Sequence, residues 1–181
     1  MINIYGKGGH AKVVNSVLWN DYPNQVNFYD DEDFDLQEGS WVIAIGDNNI
    51  RKRVAEETLG EIKYIKVIAD SANIQNIEVG EGSQILHGAV IQTGTQIGKH
   101  SIINTAASID HDCMIKDFTF IGPNATLCGG VRIGEGSFIG AGAIILPYIK
   151  IGKNCTIGAG SVVTKNIEDG VTAYGNPAKI K

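Results

Sequence analysis

Val79, Ile85, Ile91, Ile97, Ile103, Ile109, Ile115, Ile121, Leu127, Ile133, Ile139, Ile145, Ile151, Ile157 and Val163 follow one another at intervals of six residues without a break, in a stretch that opens at Ile77. Two positions before each lies a mostly small residue (Ser83, Ala89, Thr95, Ser101, Ala107, Cys113, Thr119, Ala125, Ser137, Ala143, Cys155, Ser161), with Ile77, Val131 and Ile149 as the exceptions. A period of six fits neither the helical repeat of about 3.6 residues nor an uninterrupted strand. It fits a short strand and a turn, repeated three times around a triangular coil of about 18 residues, which is a parallel β-helix. The large aliphatic residue points into the prism, and the small one on the same face leaves it room. Glycine follows the aliphatic residue at Gly80, Gly98, Gly122, Gly134, Gly140, Gly152 and Gly158, where the chain must turn with positive φ or pack closely on its neighbour. The register predicts about five coils.

The composition changes near Asp70, which divides the chain into residues 1–70 and 71–181. In the first part Ile2 to Tyr5 reads as a strand that runs into Gly6-Lys7-Gly8-Gly9-His10-Ala11 and then a helix with Val13, Val14, Val17 and Leu18 on one face. Glycines between a strand and a helix N-terminus let backbone N–H groups approach a phosphate. A second strand, Val26 to Tyr29, ends in Asp30-Asp31, and a third, from Trp41 to Ile45, ends in Gly46-Asp47-Asn48. A helix from about Asn49 to Leu59 and a last strand from Tyr64 to Ile68 follow. Three such strand ends would converge on one crevice at the carboxyl edge of a parallel sheet, the pattern of a small α/β, Rossmann-like domain. Its length suits a single mononucleotide half, which argues against a nicotinamide dehydrogenase.

Among 181 residues the formal net charge is −5, without a basic cluster, so nucleic acid and anionic membranes are poor partners. No apolar run approaches the roughly 20 residues that span a bilayer, and a cytoplasmic location is expected. Cys113, Cys128 and Cys155 lack metal-ligand or disulfide spacing, and no metal is expected.

Of the four histidines, His111 lies between Asp110 and Asp112, just after an inward isoleucine, so its ring should project from a corner. An imidazole whose tautomer and basicity are set by a carboxylate is a usable general base near neutral pH. Strand alternation leaves open whether Asp110 or Asp112 meets the ring. The N–H of Gly129, 18 residues and so one coil beyond His111, is a candidate donor to an oxyanion.

The hexads of the form Ile-Gly-x-x-Ser/Ala-x resemble those of the hexapeptide-repeat acyltransferases, whose coil is left-handed, and the left-handed parallel β-helix expected here takes its hand from that resemblance alone. Gly6-Lys7-Gly8-Gly9-His10-Ala11-Lys12-Val13-Val14, with Asn104-Thr105, His111-Asp112-Cys113 and Tyr174-Gly175-Asn176-Pro177-Ala178-Lys179, resembles more specifically the nucleotide-sugar N-acetyltransferases of the bacillosamine pathway. The sialic acid O-acetyltransferases share that architecture. The resemblance implies His111 as base with Asp112 increasing its basicity, Asn104 in the acceptor site, and Gly8, Gly9, His10, Asp30, Asp31 and Gly46 around a nucleotide-linked amino sugar. It further implies a homotrimer, with acetyl-CoA between neighbouring subunits near Gly129, Ala141 and Ala159. Phe120 stands where these enzymes often have a second histidine close to the acyl donor.

Acetyl transfer to the amine of a nucleotide sugar is the reading these features favour. The alternatives are sugar O-acetylation on the same scaffold, and a trimeric nucleotide-binding scaffold without catalysis.

Overall fold

The computed structural model describes residues 1–32, 37–60 and 62–181. At the N-terminus β1 (Ile2–Tyr5) is central, with β2 (Val26–Tyr29) and β3 (Ser40–Ile43) parallel to it on either side. Helix α1 (Gly9–Leu18) buries Ala11, Val14 and Leu18 on one side of this sheet and leaves Val13 facing solvent. On the other side, α2 (Asn48–Arg53) begins where the Asp47 carboxylate accepts the Ile50 N–H at 2.9 Å, and it widens into a π-helical turn over Val54–Leu59. Arg51, not Ile50, takes the inward position one turn before Val54. The strand expected from Tyr64 to Ile68 is divided. Tyr64 only bridges to Trp41, while Val67–Ile68 already pairs with Gln84–Ile85 of the solenoid.

The rest of the described chain is a three-faced parallel β-solenoid of about six coils, built from two-residue strands. The first face carries Gln84–Ile85, Ile102–Ile103, Phe120–Ile121, Phe138–Ile139 and Thr156–Ile157, the second Ser108–Ile109, Thr126–Leu127 and Ile144–Ile145, and the third Met114–Ile115, Arg132–Ile133 and Lys150–Ile151. Neighbours on one face are 18 residues apart, as in Ile103 against Ile121 against Ile139. The count exceeds the expected five coils because the solenoid continues beyond the hexad run, at Val67–Ile68 before it and at Ile167 and Ala173 after it. The predicted inward residues form one apolar column, most of them without measurable exposure.

Where the small residue of the hexad carries a hydroxyl it does more than leave space. At the corners the main-chain ladder lapses, and unpaired groups there must find partners. The Ser83 hydroxyl donates to the Gly98 carbonyl at 2.6 Å and accepts the Ser101 N–H at 3.0 Å. Thr95 repeats the arrangement with Asp110 and Cys113, and Ser137 with Gly152 and Cys155. A hydroxyl at this position stitches one coil to the next inside an apolar column. Cys113 and Cys155 are buried free thiols in the same series, and burial pushes the Cys113 thiol up to about 11.

Of the two roles expected for the glycines that follow the aliphatic residues, close packing holds: a Cβ on Gly140 would lie 2.5 Å from the Ala159 nitrogen. Positive φ falls two residues further on, at every sixth position from Asn76 to Gly160, and includes His100, Asp112, Phe118 and Tyr148.

His100 is 5% exposed, its ring stacked 5.1 Å from Phe118 and edge-on to Tyr64 at 4.5 Å, and among the described residues its Nδ1 has no hydrogen-bond partner. Burial, together with the nearby Arg51 charge, pushes its pKa down to about 4. A folded pKa below the unfolded value of about 6.5 means that the unfolded chain binds the proton first, so stability is full above that value and is lost as pH falls towards 4. The loss should reach about 3 kcal/mol at one proton over the whole window. Guanidinium melts at pH 7 and 4.5 should show this decline, and His100→Phe should reduce it. An unchanged pH dependence in the variant would remove His100 as its source.

Candidate active site

The three N-terminal strands run parallel, so Gly6 to His10, Asp30-Asp31 and Gly46 to Asn48 meet at one edge of the sheet, flanking its central strand. Gly6, at φ +124, passes so close to Ala44 that a Cβ would lie 2.8 Å from its carbonyl oxygen. Gly8 caps α1 without any side-chain hydrogen bond, and a Cβ on Gly8 or Gly9 would meet nothing within 4 Å. The open helix N-terminus suits an anion. Beside it Lys7 lies 3.3 Å from the Asp30 carboxylate, and Asp31 is held by the Tyr5 hydroxyl and by Arg53 at 3.4 Å.

His10 is tied into the junction between the domains. Its Nε2 lies 2.8 Å from the Gln84 side-chain oxygen, Gln84 in turn donates to the Ile43 carbonyl at 2.9 Å, and desolvation lowers the imidazole pKa. Gly46 faces the solenoid across a groove of about 490 Å³ that also holds Asp47, Asn48, Phe120 and Phe138. Phe120 stacks on Phe138 with ring centres 4.7 Å apart. It therefore lies beside the crevice of the N-terminal sheet, on the first face.

His111 occupies the corner between the second and third faces, with its side chain half exposed. Nδ1 lies 2.8 Å from the Asp112 carboxylate, while the Asp110 carboxylate accepts the His111 backbone N–H, also at 2.8 Å. The ring thus pairs with Asp112, for which Gly94 one coil below leaves space. That hydrogen bond, supported by the Asp110 charge, raises the His111 pKa above its ordinary value. With Nδ1 engaged, Nε2 is the nitrogen left to take a proton. It rests against Gly129, where a Cβ would lie 2.6 Å away. Among the described residues the Gly129 N–H has no acceptor, and the next residue in this column, Pro147, has no N–H at all.

Asn104, Ala141 and Ala159 stand on a different corner, between the first and second faces, where the Asn104 side chain accepts the Thr105 N–H at 2.7 Å. One chain brings together His111, Asp112 and Gly129 on one corner, and Asn104, Ala141 and Ala159 on a second. The crevice at the edge of the N-terminal sheet and Phe120 lie against the first face and the third corner. The sequence reading missed the parts that hold the crevice there. Gln84 stands at an outward strand position of the hexad, as Gln96 does, and nothing in the sequence marks it as the buried one. Among the described residues no group of three or more His, Cys, Asp or Glu could hold a metal, and no helix is long and apolar enough to cross a membrane.

A solenoid of hexads with an acid-paired histidine at a corner belongs to a known class. Residues 112–147 and 130–165 match the family model "Bacterial transferase hexapeptide (six repeats)", and the chain belongs to the hexapeptide-repeat acyltransferases. Within that class it is similar to perosamine N-acetyltransferase from Caulobacter crescentus, solved as a histidine-to-asparagine variant in complex with CoA and GDP-perosamine. The identity is 32% and the TM-score 0.91, over 99% of this chain and 96% of that one. The acetyltransferase domain of PglB from Neisseria gonorrhoeae, in complex with acetyl coenzyme A, is 34% identical with a TM-score of 0.91, over 99% of this chain and 98% of that one. WeeI from Acinetobacter baumannii matches at 27% identity and a TM-score of 0.90, over 100% and 99%.

The glycine against which the His111 ring rests gives a direct test of the corner. Gly129→Ala places a methyl where Nε2 and Cε1 of His111 now sit, so the ring must turn away. Turnover should fall about 10²-fold, because an angstrom of misplacement costs that much, with the melting temperature little changed. Full activity in this variant would show that the ring position seen here is not the working one.

Proposed function

We propose that this protein transfers the acetyl group of acetyl-CoA to the amine of a nucleotide-linked amino sugar, such as a 4-amino-4,6-dideoxy sugar, in bacterial surface glycan biosynthesis. The observation that carries the reading is the His111 imidazole, fixed by Asp112 at Nδ1, with Nε2 free beside an unsatisfied Gly129 N–H. The neutral amine attacks the thioester carbon, the C–N bond forms and the C–S bond breaks. The proton of the amine passes to Nε2 and from there to the departing thiolate. The Gly129 N–H would stabilise the tetrahedral oxyanion. Lys7 and the open N-terminus of α1 supply donors for a diphosphate, and Asp30 and Asp31 supply acceptors for a ribose or base. The similarity to acetyltransferases solved with GDP-perosamine and with acetyl coenzyme A supports the same pair of ligand classes.

The separation of the crevice from the His111 corner supports a homotrimer in which one subunit presents the acceptor to the base of its neighbour. Gly8→Trp, whose Cβ would meet nothing within 4 Å and whose indole would cover the open helix N-terminus, and His111→Ala should each be inactive alone. Random 1:1 assembly of the two variants should recover up to about a quarter of the wild-type rate, the fraction of clefts with both halves intact. No recovery in verified mixed trimers, or a fully active monomer, would sink the shared cleft.

Release of CoA thiol in the presence of a panel of nucleotide-amino sugars tests the reaction itself. His111→Ala should lower turnover by about 10²- to 10⁴-fold with little change in ligand affinity. The active form of the base is unprotonated, so the rate rises with pH through the raised His111 pKa. Asp112→Asn removes the main cause of that elevation, and the rising limb should move to lower pH while the plateau falls. A shift in Asp110→Asn but not in Asp112→Asn would reassign the pairing, and full activity of His111→Ala would reject the site.

A further inference from the structure

We infer that Tyr148 is a specificity-determining residue that bounds the acyl group of the donor beside His111. The inference rests on the proposed acyl transfer at His111. Tyr148 stands on the same corner as Asp112, two coils beyond it in the 18-residue register, and Gly130 lies between them. Asp112, Gly130 and Tyr148 all have positive φ, at 57°, 70° and 61°, so the backbone of this column accepts side chains and does not by itself require glycine at 130. What Gly130 provides is room. A Cβ there would lie 2.6 Å from Cδ1 and 2.8 Å from Cε1 of Tyr148, so the phenol ring is folded down onto Gly130.

The adjacent Gly129 carries the His111 ring in the same way from the coil below. Two consecutive glycines therefore serve as a floor against which two rings rest, imidazole from one side and phenol from the other. Tyr148 is nevertheless 73% exposed, and Leu146 and Ile144 on the same coil are 37% and 39% exposed, so this ledge is apolar and presents no charge of its own. A carbonyl carbon placed between the Gly129 N–H and Nε2 would direct its alkyl substituent across this floor. Coils are spaced by about 4.8 Å, so a phenol seated on the intervening coil leaves depth for a methyl and crowds each further methylene. An alkyl group also belongs on an uncharged ledge, because burial against Tyr148 and Leu146 removes apolar surface from water without stranding a polar atom.

The test pairs turnover with binding of donors that cannot react. Acetyl-, propionyl- and butyryl-CoA are compared in the wild type, Tyr148→Ala and Tyr148→Phe, and S-ethyl- and S-butyl-CoA thioethers are titrated calorimetrically into each. The wild type should prefer acetyl over butyryl strongly, by about tenfold or more for each methylene, and should bind the S-ethyl thioether more tightly than the S-butyl. Tyr148→Ala should bring both ratios to within about threefold of unity. Tyr148→Phe keeps the ring and should keep the wild-type ratios. Unchanged ratios in Tyr148→Ala, an equal loss with every donor, or a Tyr148→Phe variant that behaves as Tyr148→Ala would each overturn the assignment. A wild type that binds both thioethers equally overturns this inference alone, and one that binds no CoA thioether overturns the proposed function with it.

Discussion

Arg51 holds the two halves of the molecule in one arrangement. Its side chain has no measurable exposure, and its guanidinium donates from Nε to the His100 carbonyl at 2.7 Å, from Nη1 to the Ile45 and Gly46 carbonyls, and from Nη2 to Asn48 and the Phe118 and Thr119 carbonyls. Burial pushes its pKa down to about 9, so it remains a cation near neutral pH. A buried charge is tolerated only where its donors are satisfied, and here all five are. The acceptors come from the end of the third N-terminal strand, from α2 and from one corner of the solenoid on two successive coils. Asn48 adds bonds from its amide to the Gly136 and Ser137 carbonyls one coil further on. Removing the guanidinium would leave several buried carbonyls without a donor, which is why the junction tolerates neither a shift along the solenoid nor a rotation around it.

That fixed junction determines what the sites can do. Because the crevice is locked against the first face and the third corner, its distance from His111 is set by the prism and cannot be closed by a hinge within one chain. The same junction explains how His10 and His100 differ from His111. His10 is half-buried and His100 buried where the domains meet, and desolvation lowers their pKa values. His111 projects from a corner beside two carboxylates, and its pKa is raised. Two of these imidazoles are disfavoured from charging by their surroundings, and the third is made more basic and left half exposed.

The period of six made the solenoid legible, because one residue type in six must point inward and nothing else in globular structure repeats at that interval. The convergence of three strand ends was also legible, since a parallel order follows from glycine-rich turns between strands and helices. The docking of the small domain was not. Arg51 sits in Asn48-Asn49-Ile50-Arg51-Lys52-Arg53, at a position whose residue type gives no sign of burial, and its burial depends on carbonyl groups supplied by His100 and Phe118, far away in the chain. Main-chain acceptors leave no mark in the identity of the residues that carry them. The same holds for Tyr148, whose seat is an absence of side chain at Gly130.

The placement of residues around the prism was legible in arithmetic, although composition and motif alone do not reveal it. With 18 residues to a coil, positions that differ by 18 stand in one column, and a difference of six moves to the next corner. Gly129 follows His111 by 18 and so lies on it. Ala141 and Ala159 are in the column of Thr105, six residues before His111, and therefore occupy the preceding corner. Phe120 falls on a strand of the first face, the face that meets the small domain. Neither the alanines nor Phe120 can touch a ligand at His111 of the same chain without that ligand crossing a full face of the prism. A donor that contacts both Gly129 and the alanine column must lie along the second face or between two copies of the chain, and that choice follows from the triangular section before any ligand is considered.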